Sequence, residues 1–116
     1  MTAMKLFGLK NCDTCRKALK ALQAAGHQPD FHDVRVDGVE KAYLTKWAKA
    51  AGWEQLLNTR STTWRSLADK DKANVDEKKA IALMKEHPAL IKRPVIERDG
   101  AVTVGWTQDV QDMLLK

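Results

Sequence analysis

The chain has 116 residues, 44% of them hydrophobic, and its 20 Lys and Arg against 15 Asp and Glu leave a net charge of +5. That length suits one compact domain rather than two, so residues 1–116 are expected to form a single soluble, globular domain. No run of about 18 uncharged apolar residues occurs, so no membrane span is expected. The opening MTAMKLFGL lacks the roughly 7-residue apolar core of a signal peptide, which points to a cytoplasmic protein. The basic residues are scattered among acids, which favours small anionic ligands over direct nucleic-acid or membrane binding.

In chain order, Met4 to Gly8 (MKLFG) is a short apolar run that reads as a buried strand. The next segment, GLKNCDTCRKALKAL, holds both cysteines, Cys12 and Cys15. From Cys15 the apolar residues Ala18, Leu19, Leu22 and Ala25 follow at helical spacing on one face. Asn11 or Cys12 is placed to cap that helix, with Asp13 in its first turn. DFHDVRV, residues 30–36, reads as a second strand that closes a βαβ unit.

The two cysteines admit three readings. A bridge between them closes a loop too small to stabilise much, and a cytosol reduces structural disulfides. As a metal hook, they form C-x2-C-x11-H-x4-H with His27 and His32. Gly26 and Pro29, however, break the continuous helix that would carry those histidines, and the segment after Cys15 is helical where a zinc finger has a hairpin. No metal site is expected. As a reactive thiol, Cys12 lies where unpaired N–H groups and the positive end of the helix dipole converge, which favours the thiolate. Lys10 and Arg16 act in the same direction, and Cys15 is placed to resolve a mixed disulfide on Cys12. Two reduced cysteines, one packed and one incidental, remain the bland alternative.

Further along, Val39, Tyr43, Leu44, Trp47, Ala48 and Ala51 share a helical face that ends at Gly52, and Trp53, Leu56 and Leu57 make a short continuation. A loop, NTRSTT at 58–63, precedes a short helix at WRSLA. Asn74 or Asp76 starts the next helix, and His87-Pro88 breaks it. The helices between about 38 and 91 form an inserted lobe whose Trp and Tyr residues are core. Asp99-Gly100 then marks a hairpin within KRPVIERDGAVTVGW. Finally, TQDVQDMLLK puts Val110, Met113 and Leu114 on one face, with Thr107 as a possible cap. The order β-α-β, helices, β-β-α sets strand three beside strand one. Arg60, in the Ser/Thr-rich loop, and Arg93, before Pro94, are candidates for a bidentate clamp on a carboxylate or oxyanion.

FGLKNCDTCRKAL, LLNTRSTTWRSL, PALIKRPVIERDG and the closing VGW together resemble the ArsC family over essentially the whole chain, with greatest likeness to small proteobacterial YffB-type members and to Spx. The resemblance implies an α/β, thioredoxin-like fold with a mixed sheet and an inserted helical lobe. It implies a cis Pro94 facing the cysteines, a catalytic pair in Cys12 and Cys15, and an anion site at Lys10, Asn11, Arg60, Arg93 and Pro94. Arg60 and Arg93 match two arsenate-binding arginines of the reductases. Val104-Gly105-Trp106 stands where those enzymes have a third. The activity implied is a thiol-disulfide reductase acting on a small-molecule thiol or oxyanion, with glutathione as reductant or ligand. The alternatives are arsenate reduction proper and an Spx-like redox regulator that binds the RNA polymerase alpha subunit.

Overall fold

The structure is a computed structural model that describes residues 4–98 and 100–115. The chain divides into two compact units. One combines the segment up to Asp37 with the segment from Arg93 onward, and the other is Gly38–Lys92.

The first unit is built on a sheet of order β2-β1-β3-β4, from strands β1 (Met4–Gly8), β2 (Asp30–Asp33), β3 (Val95–Arg98) and β4 (Ala101–Val104). β1 pairs parallel with β2 and antiparallel with β3, and β3 pairs antiparallel with β4. Helix α1 (Asp13–Ala24) provides the crossover that a parallel pair requires. Met4 and Leu6 of β1 and Ile96 of β3 alternate onto one sheet face and pack with Ala18 and Leu22 of α1 and with Leu114 of the C-terminal helix. Partly buried Leu19, Phe31, Trp106 and Val110 extend that core. Gly100 takes the positive φ (+81°) that the β3–β4 turn requires. Asp99, its expected partner in the turn, lies outside the described residues.

Two expectations change here. The second strand stops at Asp33 instead of running to Val36, because the Asp33 carboxylate accepts the N–H groups of Arg35 (2.9 Å) and Val36 (3.1 Å) and turns the chain into helix α2 (Val34–Asp37). Among the apolar residues of the last helix, Leu114 is buried and Val110 packs on the core, whereas Met113 is 63% exposed. Val110 and Leu114 lie four apart and form the stripe that meets the sheet; Met113 is rotated off it. Thr107 does cap that helix, its Oγ1 accepting the Val110 N–H at 3.3 Å.

The second unit contains α3 (Lys41–Ala51), α4 (Trp53–Leu56), α5 (Thr62–Ser66), α6 (Asp69–Lys72) and α7 (Glu77–Glu86), then a single 3-10 turn at Pro88–Leu90. The C-terminal helix of the first unit, Gln108–Leu115, is α8. α3 packs on α4 and α7, and Leu44, Trp47, Ala48, Leu56, Ala80 and Met84 of these helices are buried. Of the aromatic residues expected in the core, Trp47 is fully buried; Tyr43, tilted against it at 5.8 Å, is only half-buried, as are Trp53 and Trp64. Asp76 is the residue that starts α7, its side chain accepting the Lys79 N–H. The 58–63 loop is shorter than expected, since Ser61 caps α5 and Thr62 and Thr63 already belong to it.

Gly8 controls how closely β1 and α1 approach. A methyl group at this position would overlap Sγ of Cys15, which is fully buried. Gly8→Ala is therefore expected to destabilise by about 1–3 kcal/mol through overpacking, as measured by urea unfolding of the reduced protein. Adding Cys15→Ala should recover part of that loss. An additive double variant would show that the collision lies elsewhere.

Candidate functional site

Cys12 is the N-cap of α1, with extended backbone (φ −90°, ψ 118°). Its N–H donates to the Leu9 carbonyl at 3.1 Å, and its own carbonyl accepts the Arg16 N–H at 3.0 Å. The turn Leu9-Lys10-Asn11 thus leads directly into the helix. Cys12 is half-buried and Cys15 buried, and both are free thiols. Lys10 and Asn11 are exposed.

The two thiols are driven in opposite directions. For Cys12 burial opposes ionisation, but it is outweighed by the Cys15 backbone N–H, the Cys15 thiol, and the hydrogen bond and charge of Arg93. The net result holds the Cys12 thiol below its ordinary value of 9.0. For Cys15 burial dominates, and the hydrogen bond and negative charge of Cys12 add to it. These outweigh the Leu9 N–H and the Arg93 charge, so Cys15 is pushed up to about 11. One sulfur is therefore shifted toward the thiolate, and the other is held as the protonated hydrogen-bond donor to it.

Arg93 reaches this site through sheet register. Phe7 of β1 faces Val95 of β3 in the antiparallel pair, so the residues before β3 run level with those after β1. The Arg93–Pro94 peptide bond is cis, the isomer that the resemblance implies, and Pro94 is buried with its carbonyl accepting the Gly105 N–H at 2.9 Å. Arg60 belongs to the helical unit. It is exposed, in a turn fixed by Asn58, whose Oδ1 accepts the Arg60 N–H (3.1 Å), and by Ser61, whose hydroxyl donates to the Asn58 carbonyl (3.1 Å). The two histidines of the metal pattern are engaged separately: His27 Nε2–H donates to the Leu114 carbonyl at 3.1 Å, and His32 stacks on Phe7 at 4.9 Å.

One residue of this site was missed from the sequence. Asp33, at the end of β2, is buried, and its Oδ2 accepts the Lys10 N–H at 3.1 Å while Oδ1 holds Arg35 and Val36. Burial opposes its ionisation, but the Lys10, Val36 and Arg35 N–H groups and the Lys10 charge together hold its carboxyl below the ordinary aspartate range. From the other side, Arg16 Nε donates to the Lys10 carbonyl at 2.9 Å. Lys10 is thus pinned through both backbone groups, two residues before Cys12.

The ArsC family pattern matches residues 7–113. The chain belongs to the ArsC family. A Haemophilus influenzae protein without an assigned function is 43% identical over 103 residues, covering 89% of this chain and 90% of that protein. The solved structure of a YffB protein superposes with a TM-score of 0.93 at 39% identity, covering 98% of this chain and all of that one. A protein of Streptococcus mutans named global transcriptional regulator Spx is 28% identical over 107 residues, covering 90% of this chain and 77% of that protein. The mixed four-stranded sheet with its helices is the thioredoxin-like fold of the ArsC proteins. Among the described residues, no helix is long and apolar enough to cross a membrane.

Asp33 has a depressed folded-state pKa, so its stabilising contribution is complete above the ordinary value of 3.8 and is lost as pH falls from there through the folded value. Asp33→Ala is expected to cost about 0.5–2 kcal/mol at neutral pH, since it removes the capping acceptor of three partly buried N–H groups. It should also flatten the acid limb of stability against pH. Urea midpoints between pH 3 and pH 7 check both; an acid limb unchanged by the substitution would show that the capping carboxylate is not the group titrating there.

Proposed function

We propose that the chain is a thiol-dependent reductase in which Cys12 is the nucleophile. The observation that carries this reading is the opposed ionisation of the two thiols, with Arg93 acting on both. The Cys12 thiolate attacks a disulfide or glutathione adduct, forms a mixed disulfide and expels the other sulfur as a thiolate. Once Cys12 is in that bond, its negative charge and hydrogen bond no longer oppose the ionisation of Cys15. Cys15 can then lose its proton to solvent and attack the Cys12 sulfur. The second thiolate leaves, and the pair is left as a disulfide two electrons more oxidised. Two equivalents of glutathione, the proposed reductant, restore the dithiol. Arsenate is a narrower substrate within the same chemistry, and Val104-Gly105-Trp106 in place of a third arginine argues for the broader reading.

A second reading follows from the likeness to the Streptococcus mutans regulator. In it the same pair is a redox switch on a protein that docks the RNA polymerase alpha subunit. Retention of the alpha C-terminal domain by the reduced or the oxidised chain in a pull-down, together with no turnover of glutathione adducts, would favour this second reading.

The reductase reading is tested by the pH dependence of Cys12 alkylation, followed by mass spectrometry. The midpoint is expected below 9.0, the ordinary thiol value. Arg93→Gln and Cys15→Ala should each raise it, because each removes a group that stabilises the thiolate, while Cys15→Ser keeps a hydroxyl donor and should shift it less. Turnover of a glutathione mixed disulfide should fall on the order of a thousandfold or more in Cys12→Ser. Arg60→Gln, if Arg60 holds the anionic group, should raise KM and leave the alkylation midpoint in place. A midpoint at or above the ordinary value would remove the basis for the reductase.

A further inference from the structure

The outward face of α1 begins one residue after Cys12, at Asp13. Two depressions meet on it. The first, of about 250 Å³, is lined by Leu9, Lys10, Arg16, Leu19 and Phe31. The second, of about 380 Å³, shares Arg16 and Leu19 and adds Lys17 and Lys20. The two depressions thus adjoin along Arg16 and Leu19 and are treated as one surface groove. Its floor is apolar, from Leu9, Leu19 and Phe31. Four cations line it against one carboxylate, Asp13, which is itself 3.8 Å from Arg16.

The groove is tied to the nucleophile through the backbone. Both main-chain hydrogen bonds of Cys12 go to residues that line it, the N–H to Leu9 and the carbonyl to Arg16. Cys12 itself lines neither depression, but the first begins within three residues of it in the chain, at Leu9 and Lys10. From Asp13 to Lys20 the helix rises about 10 Å, at about 1.5 Å per residue. That is the span of about three extended residues at about 3.3 Å each.

A bare oxyanion has no use for an apolar floor. A nucleic acid would find, among the lining residues, one half-buried aromatic ring on which to stack. An extended peptide satisfies both features: an apolar side chain fills the floor while acidic neighbours meet the cations. We propose that this groove docks an acidic, extended polypeptide segment bearing an apolar side chain, so that the substrate class is a protein disulfide or protein mixed disulfide rather than a free oxyanion. The proposal rests on the reading of Cys12 as nucleophile for its purpose, while docking itself can be measured without the thiol.

The test uses the full chain carrying Cys12→Ser and a fluorescein-labelled peptide that alternates glutamate and leucine. Its counterparts are the same peptide with glutamine for glutamate and an oligothymidylate of equal charge. Anisotropy should show saturable binding of the acidic peptide, weakened at least tenfold in Lys17→Glu/Lys20→Glu and several-fold in the gentler Lys17→Gln/Lys20→Gln. Raising salt should weaken it too. Lys41→Glu/Lys49→Glu, on exposed positions of α3, makes the same change in net charge and should bind the peptide as before. Three results would overturn the proposal: acidic and glutamine peptides binding alike, equal weakening by the α3 reversal, or tighter binding of the oligothymidylate. Because Cys12 is absent throughout, failure here is separate from failure of the alkylation test.

Discussion

Burial of the Cys15 sulfur against the bare backbone of Gly8 is the constraint on which the site depends. A side chain at position 8 would occupy the space of that sulfur. With Cys15 sealed between β1 and α1, water cannot stabilise its thiolate, and it stays a proton donor near neutral pH. That donor is turned toward Cys12, one helical turn earlier, whose thiolate it stabilises together with Arg93. The difference in acidity between the two thiols thus comes from depth in the fold. The two cysteines are the same chemical group in the same motif, and only one of them is packed against a strand glycine.

The second constraint is the turn that delivers Cys12. The helix start supplies a favourable field only if the chain enters it at a fixed angle, and Asp33 and Arg16 set that angle by gripping Lys10 through its N–H and its carbonyl. Asp33 does this while also ending β2 and starting α2. One buried carboxylate therefore couples the sheet edge to the entrance of α1. Its charge is tolerated because three N–H groups converge on it, an arrangement that replaces the lost hydration.

Local pattern made much of this legible in the sequence. The β1 run, the face of α1, the helix ending at Gly52 and the β3–β4 hairpin are all short-range signals, and each element stands where its residues indicated. The position of Cys12 at the start of α1 was legible for the same reason, since a helix start and a C-x-x-C pair are properties of a few adjacent residues. What escaped was long-range. Asp33 lies 23 residues from Lys10, and DFHDVRV reads as strand throughout unless the acceptors of its N–H groups are known. Nor does the sequence indicate what His27 and His32 meet, which is a helix-end carbonyl and a phenylalanine ring. No local rule contains those contacts.

Arg93 shows how a distant residue is held at the site without local instruction. The antiparallel register that sets Phe7 opposite Val95 carries the residues before β3 to the level of the residues after β1. A shift of register by one residue would turn Ile96 out of the core it shares with Leu6 and Leu22, so core packing itself specifies where Arg93 stands. The helical unit enters the chain at Gly38 and leaves at Lys92, immediately before that arginine. It brings its own core around Trp47 and Met84 and adds no strand to the sheet. The β1–β3 register is therefore set within the first unit, by the sheet and by the α1 residues that pack on it.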